Sequence, residues 1–229
     1  MKYPRTPYLP FSPGLGDNKD KIMSIKDVEN FLNINIIITE KLDGSNTCLK
    51  NSSVYARSHS SPTICSSFDA IKSRYKSILH KIPKNISIYG ENLFAIHSLE
   101  YTNLTDYFFV FSMYYDNEFL CWDDVYKLSE YLKLSTVPVL KTGIFTDIND
   151  LKNYLEYEMS LPSSFGGEKE GIVIRTEHSI EIHDFQKSVA KYVRKNHVTT
   201  DEHWSRNWKK ANINMKNIIS RSEALEISK

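Results

Sequence analysis

Cysteine is scarce in this chain: three of 229 residues, Cys48, Cys65 and Cys121, far apart in sequence. With no Cys-x-x-Cys pair, neither a structural zinc site nor a disulfide framework is expected, and a reducing compartment fits best. No run of about 18 apolar residues occurs, which excludes a membrane-spanning helix. The opening residues Met1-Lys2-Tyr3-Pro4-Arg5-Thr6-Pro7 hold no apolar stretch of signal-peptide length, so a soluble, cytoplasmic protein is expected. An excess of one charge is absent too, since the net charge is +1. Contact with a polyanion would have to come from a local patch rather than from the field of the whole molecule. The histidines His59, His80, His97, His178, His183, His197 and His203 show no HxxxH spacing with a carboxylate, and hydrogen-bonding or surface roles suit them better than metal binding. No internal repeat, low-complexity segment or clear linker divides the sequence.

What is present is a globular composition, 41% hydrophobic and 25% charged, in a chain long enough to bury a sizeable core. The 14 tyrosines and 11 phenylalanines suit strands and stacking surfaces equally. Residues 1–20, rich in Pro and Gly, read as an extended lead-in. Residues 24–32 read as a short helix capped by Ser24. The β-branched run 34–39 predicts a buried strand. Strands are also predicted at 47–50 and 53–58, joined by a turn at Asn51-Ser52. A helix is expected over 68–80, where Phe68, Ile71, Tyr75 and Ile78 share one face. Further strands are predicted near 87–93, 107–115, 171–175, 179–184 and 188–194. Helices are predicted at 122–132, 147–159 and 199–225. The pattern is one α+β domain of antiparallel sheets with flanking helices, spanning residues 1–195, followed by a short helical extension over 196–229.

At the end of the first strand stands Glu40-Lys41-Leu42-Asp43-Gly44, a K-x-D-G sequence. A lysine with its free pKa of about 10.4 is almost wholly protonated near neutral pH, and lowering it to about 7.5 takes roughly 4 kcal/mol. Nearby cations and partial burial can supply that. A glycine after the acid permits a sharp turn and close approach of a nucleotide. Alone, the tetrapeptide also suits a strand-end turn with a surface lysine.

Five segments in order, with a sixth behind them, change that balance. They are Glu40-Lys41-Leu42-Asp43-Gly44-Ser45-Asn46, Tyr55-Ala56-Arg57-Ser58, Tyr89-Gly90-Glu91-Asn92-Leu93, Val110-Phe111-Ser112-Met113, Glu170-Gly171-Ile172-Val173-Ile174 and Ala190-Lys191-Tyr192-Val193-Arg194. Together they resemble the covalent nucleotidyltransferase superfamily of DNA ligases, RNA ligases and mRNA capping enzymes, over about residues 36–195. Asn46 stands where DNA ligases and capping enzymes usually carry arginine, and it resembles the type 2 RNA ligase branch. The resemblance implies a nucleotidyltransferase (ATP-grasp-like) fold, ATP and Mg²⁺ or Mn²⁺ as cofactors, and RNA as substrate. It implies joining of 5′-phosphate and 3′-hydroxyl RNA ends through a covalent lysyl-AMP. DNA ligase, capping guanylyltransferase and a non-catalytic nucleotide- or RNA-binding module are the alternatives. A polynucleotide kinase or phosphatase partner is compatible with it.

Carried over by resemblance, Lys41 attacks the α-phosphorus of ATP, and Asp43 orients the site. Glu40 flanks the adenine, in part through its backbone, and Asn46 joins the nucleotide site. Arg57 contacts ribose or phosphate, and Glu91 accepts from the ribose hydroxyls. Phe111 stacks on adenine, although its apolar strand also suits it as core. Glu170 helps hold the metal, and Lys191 binds phosphate. The family's last motif commonly reads K-x-K; here Val193 takes the second lysine's place, and Arg194 points to the other face of a regular strand. Near the C-terminus Lys187, Lys191, Arg194, Lys195, Arg206, Lys209 and Lys210 gather with Trp204 and Trp208. That composition suits a single-strand RNA contact surface, with Arg206, Lys209 and Lys210 as its cations, and equally an amphipathic helix docked by its tryptophans. The segment 92–98 invites RNA-end or nucleotide contacts.

Overall fold

Ser24 starts the first turn by accepting a 3.0 Å hydrogen bond from the Asp27 amide, and α1 (Ile25–Val28) runs on as a 3-10 turn through Phe31. The computed structural model describes residues 1–15, 21–57, 61–195 and 208–214. The β-branched run becomes β1 (Asn35–Lys41), longer than its hydrophobic stretch, so that Lys41 is its last residue. β2 (Ser45–Lys50) and β3 (Ser53–Ala56) are joined by Asn51 and Ser52, both at positive φ. A 3-10 turn leads into α2 (Asp69–Leu79). β4 (Ser87–Asn92), β5 (Ala95–Ile96), β6 (Phe108–Tyr115) and β7 (Glu118–Phe119) follow. After α3 (Trp122–Tyr131) come β8 (Ser135–Thr136) and β9 (Val139–Ile144), which the sequence reading leaves out. The chain continues through α4 (Ile148–Ser160), β10 (Gly171–Thr176), β11 (Ile180–Glu181), α5 (Phe185–Ser188), β12 (Val189–Val193) and β13 (Lys209–Lys210).

Two expectations change. The strand predicted at 179–184 is only two residues long and turns into a 3-10 helix at Ile182–Asp184. The helix predicted over 199–225 does not cover residues 208–214, which are extended: β13 pairs with β5, Lys209 opposite Ile96 and Lys210 opposite Ala95. Tertiary pairing there overrides helix-like spacing. Residues 199–207 and 215–225 of that predicted helix lie outside the described residues.

Apart from the two-stranded β5–β13 pair, the strands form two largely antiparallel sheets. The smaller has the order β12-β10-β1-β9, and the larger β11-β7-β6-β4-β2-β3, with β8 added parallel to β6. Side-chain alternation divides each strand between two environments. In β1, Ile36 and Ile38 pack with Ile172, Ile174, Leu151 and Leu155 under α4. On the large sheet, Leu49, Ile88 and Val110 pack with Ile71 and Tyr75 of α2 and Val125 of α3. The inner faces meet around Cys48, Tyr89, Phe119, Ile180, Phe185 and Val189. Helices therefore cover the outside of both sheets and leave a cleft between them.

The loop from α4 to β10 is pinned by a buried ion pair. Lys169, with 1% of its side chain exposed, holds the Glu158 carboxylate at 2.6 Å and the Glu158 carbonyl at 2.9 Å. Removing one partner strands a charge that water cannot reach. Glu158→Ala should lower unfolding free energy by about 3–5 kcal/mol, and Glu158→Met with Lys169→Met by much less. Denaturant titration checks this; a small loss in the single variant would mean the ammonium finds water.

Candidate active site

One face of each strand supplies the site. In β1, Thr39 and Lys41 point into the cleft; in β2, Asn46; in β4, Glu91; in β6, Phe111; in β10, Val173 and Arg175; and in β12, Val189 and Lys191. They line a pocket of about 650 Å³, a size suited to a nucleotide. Glu40, Arg57, Gly44 and His97 line it too. Every sequence-predicted nucleotide-site residue, Glu40, Lys41, Asn46, Arg57, Glu91, Phe111 and Lys191, thus borders one cavity. Glu170 joins them through Lys41.

Lys41 and Glu170 stand at the adjoining ends of β1 and β10, where Lys41 pairs with Gly171. Lys41 Nζ lies 2.6 Å from Glu170 Oε1. Lys41 keeps 28% of its side chain exposed and Glu170 only 6%, so the ammonium is reached from the pocket and the carboxylate lies behind it. The expectation of a depressed lysine pKa is not met in the ligand-free protein. Burial pulls the amine down, but the carboxylates of Glu170, Glu91 and Asp43 outweigh it and hold the amine above its ordinary value. Burial pushes the Glu170 carboxyl up as well, and the Lys41 ammonium beside it opposes that shift.

Two motif residues hold loops rather than face the cavity. The Glu40 carboxylate is turned away from the cleft, where it accepts from Ser163 Oγ at 2.5 Å and Ser164 N at 2.9 Å, while its backbone borders the pocket. Asp43 Oδ2 accepts from the Ser98 and Leu99 amides at 2.7 and 2.8 Å, and the Asp43 amide donates to the Tyr101 hydroxyl. Gly44 serves close packing: a Cβ there would sit 2.5 Å from the Asn92 carbonyl. Arg194 pairs with Glu168, and Val193 is buried opposite Gly171.

A divalent cation fits the oxygen donors present. Glu170 Oε2 and Asn46 Oδ1 are buried with no hydrogen-bond partner among the described residues. Among those residues no group of three or more His, Cys, Asp or Glu forms a cage. Unpartnered oxygens of this kind are hard donors, the type that Mg²⁺ or Mn²⁺ takes while keeping waters and phosphate oxygens.

The sequence assigns no site role to Tyr3, Thr6, Thr39, Ser112 or Arg175, all of which line the pocket. Counting by twos from Lys41 finds Thr39, and the same count along β10 finds Arg175 beside Val173; nothing local announces Tyr3. His97, set aside as polar surface, borders the pocket with its Nε2 3.1 Å from Ser45 Oγ. Of the predicted RNA-contact cations, Lys209 and Lys210 are exposed on β13, whereas Arg206 and Trp204 lie outside the described residues. Trp208 meets Phe94 at 5.3 Å, and Lys210 Nζ lies 5.7 Å from the same ring.

Burial pushes Glu91 from 4.5 up to about 8, against the pull of Lys41. The unfolded chain releases this proton near 4.5 while the folded chain holds it to about 8, so the folded state binds more protons in between. Stability of the ligand-free protein should therefore fall as pH rises through that window. Glu91→Gln should flatten the fall, raising the melting temperature by several degrees at pH 8 and little at pH 4.5. Parallel pH slopes in thermal melts would refute this.

Solved structures share this architecture. Naegleria gruberi RNA ligase with pyrophosphate superposes with a TM-score of 0.58 at 19% identity, covering 74% of this chain and 52% of that one. A lysine-to-alanine variant of that ligase with ATP and manganese gives 0.55 at 16% identity, covering 80% and 56%. An aspartate-to-alanine variant without ligand gives 0.56 at 15%, covering 86% and 58%. At these identities the likeness is one of fold, and the chain spans a little over half the length of these solved ligases. No curated protein sequence matches the chain. The sequence pattern described as RNA ligase matches residues 34–193, from the start of the first strand to the end of β12, and so takes in Lys41, Glu91, Glu170 and Lys191 in one frame. The chain belongs to the RNA ligase family.

Proposed function

We propose that this chain is the adenylate-accepting domain of an ATP-dependent RNA ligase that joins 5′-phosphate and 3′-hydroxyl RNA ends through AMP carried on Lys41. The observation that carries the reading is the convergence on one cavity of Lys41, Asn46, Arg57, Glu91, Phe111 and Lys191, with Glu170 in contact with Lys41. In the first step the Lys41 amine attacks the α-phosphorus of ATP; an N–P bond forms, a P–O bond breaks and pyrophosphate leaves. The AMP then passes to the RNA 5′-phosphate, and the 3′-hydroxyl displaces it.

Phe111 and Val173 stand on facing sheets and offer apolar surface to the base. Glu91 and Arg57 suit ribose hydroxyls and phosphate. Lys191 offsets charge on the α-phosphate. A Mg²⁺ or Mn²⁺ ion held through Glu170 would neutralise phosphate charge. While Lys41 is held at 2.6 Å by Glu170 it is a charged donor without a free lone pair, so it must leave that carboxylate and lose a proton before it attacks. The Naegleria ligase structures named with ATP and manganese and with pyrophosphate support ATP and a divalent metal as cofactors.

Asn46 weighs against DNA ligase and capping guanylyltransferase, because it is uncharged where those families carry arginine. The retained Lys41, Glu91, Glu170 and Lys191 weigh against a binding module that has lost catalysis. We assign residues 1–195 to the adenylyltransferase domain and 196–229 to a C-terminal extension, of which 208–214 pack on β5. We place the enzyme in the reducing cytoplasm, where its free thiols, Cys65 among them on the surface, stay reduced. Among the described residues no helix is long and apolar enough to cross a membrane. A kinase or phosphatase that prepares RNA ends is the fitting partner for an enzyme that needs a 5′-phosphate and a 3′-hydroxyl.

Labelled ATP with Mg²⁺ should give an acid-stable protein adduct, GTP should give little, and Lys41→Ala should remove it. An adduct persisting in that variant would place the nucleophile elsewhere. The exposed Lys209 and Lys210, together with Arg206, are assigned to RNA contact. Replacing all three with neutral residues should reduce sealing and flatten its salt dependence, with a slope change of about 0.7 per lost single-strand phosphate contact. Lysine adenylation, which uses no RNA, should continue. An unchanged salt slope would move the RNA surface elsewhere, such as the segment 92–101.

A further inference from the structure

Residues 3–9 belong to none of the motifs, yet they run from the floor of the pocket to the phosphate-facing lysine. Tyr3 enters the cleft, where its ring meets Phe111 edge-on at 5.0 Å and also meets Tyr89, Phe119 and Phe185 at 5.1–5.5 Å. Upstream of it, the Tyr89 hydroxyl donates to the Met1 carbonyl at 2.6 Å. At the other end the segment lies parallel to β12. The Lys191 amide donates to the Pro7 carbonyl, and the Leu9 amide donates to the Lys191 carbonyl, both at 2.9 Å. Tyr8, bridged to Lys191 between these two bonds, is 5% exposed. Its ring lies directly under the ammonium: Lys191 Nζ is 3.8 Å from the ring centroid.

This contact bears on the chemistry because Lys191 is the only cation that β12 turns toward the cleft. Two residues on, the inward position is Val193, 1% exposed, and Arg194 is committed to Glu168. A lysine stem has four rotatable bonds, so an ammonium without support samples many directions. A ring face attracts the ammonium and narrows that set.

We propose that Tyr8 is a positioning residue of the nucleotide site, its ring face aiming the Lys191 ammonium at the phosphate chain, with the segment fixed in place by Tyr3 and the two backbone hydrogen bonds to Lys191. The proposal rests on the reading of Lys191 as the phosphate-binding lysine.

The test uses the full chain, with single-turnover adenylation at saturating ATP, in Tyr8→Leu, Tyr8→Phe, Lys191→Ala and Tyr8→Leu combined with Lys191→Ala. Tyr8→Leu should lower the adenylation rate constant roughly 5- to 30-fold, the range a partly desolvated cation–π contact implies, with a smaller change in ATP affinity. Tyr8→Phe, which keeps the ring face, should stay within about 2-fold. In the Lys191→Ala background Tyr8→Leu should add no further loss, because its effect runs through that lysine. A readout independent of turnover is the NMR shift of the Lys191 ε-methylene protons, displaced upfield by the ring in wild type and in Tyr8→Phe, and returned to the ordinary lysine position in Tyr8→Leu. Equal losses from Tyr8→Leu in both backgrounds, an equally damaged Tyr8→Phe, or an undisplaced wild-type resonance would overturn the proposal. Normal adenylation by Lys191→Ala would overturn the reading of Lys191 itself and is seen before Tyr8 is touched.

Discussion

The contact between Lys41 and Glu170 depends on the register of two neighbouring strands, and the rest of the site depends on it in turn. Lys41 pairs with Gly171, so the residue just before β10 is the one whose carboxylate meets the ammonium at 2.6 Å. A slip of one residue in β1 would send Lys41 toward α4 and bring Glu40 into the cleft. That slip is costly, because Ile36 and Ile38, at most 1% exposed, would leave their packing under α4. Burying an isoleucine is worth about 1.5–3 kcal/mol, so the apolar half of the strand sets where its charged half points. The same logic runs through β10 and β12, where Ile172, Ile174, Ala190 and Tyr192 pack outward and leave Val173, Arg175, Val189 and Lys191 inward.

Around that pair the motif residues divide into those that face the cavity and those that hold the frame. Glu40 clamps Ser163 and Ser164, Lys169 clamps Glu158, and the Arg194 amide donates to the Glu170 carbonyl. These contacts fix both ends of the loop that delivers Glu170. Asp43 does the corresponding work on the other side by gathering the amides of Ser98 and Leu99. The short sequence Glu40-Lys41-Leu42-Asp43-Gly44 thus contains one lysine that faces the cavity, two carboxylates that tie separate loops to it, and a glycine that lets β4 pass within contact.

This division explains what could be read from the sequence. That Lys41, Glu91 and Lys191 share one cavity is legible in the sequence, because their order and strand positions fix which way they point. Glu40 was legible as a site residue, but its carboxylate turns away from the pocket because adjacent strand positions point to opposite faces. The raised pKa of the lysine is not legible, because local sequence does not show three carboxylates converging from the turn before β2 (Asp43), from β4 (Glu91) and from the residue before β10 (Glu170). β9 is not legible because as an edge strand it buries no face: none of its residues from Val139 to Ile144 is fully buried. The extended course of residues 208–214 comes from pairing with β5, a partner more than a hundred residues away that propensity cannot report.

The departure at Val193 has a physical consequence in the finished structure. A lysine on the inward face at position 193 would need a hydrated outlet, but Val193 is 1% exposed, its amide accepted by Ser12 Oγ and its carbonyl bonded by Gly14. The lead-in binds the backbone of this strand at Val193, and the side chain there is buried. Arg194 does not replace it, since its guanidinium pairs with Glu168 and helps fasten the loop before Glu170. The same lead-in brings Tyr8 beneath the Lys191 ammonium. On the proposed function, this end of the pocket offers phosphate one lysine held over a ring instead of two, and the N-terminal segment packs against the strand at both positions.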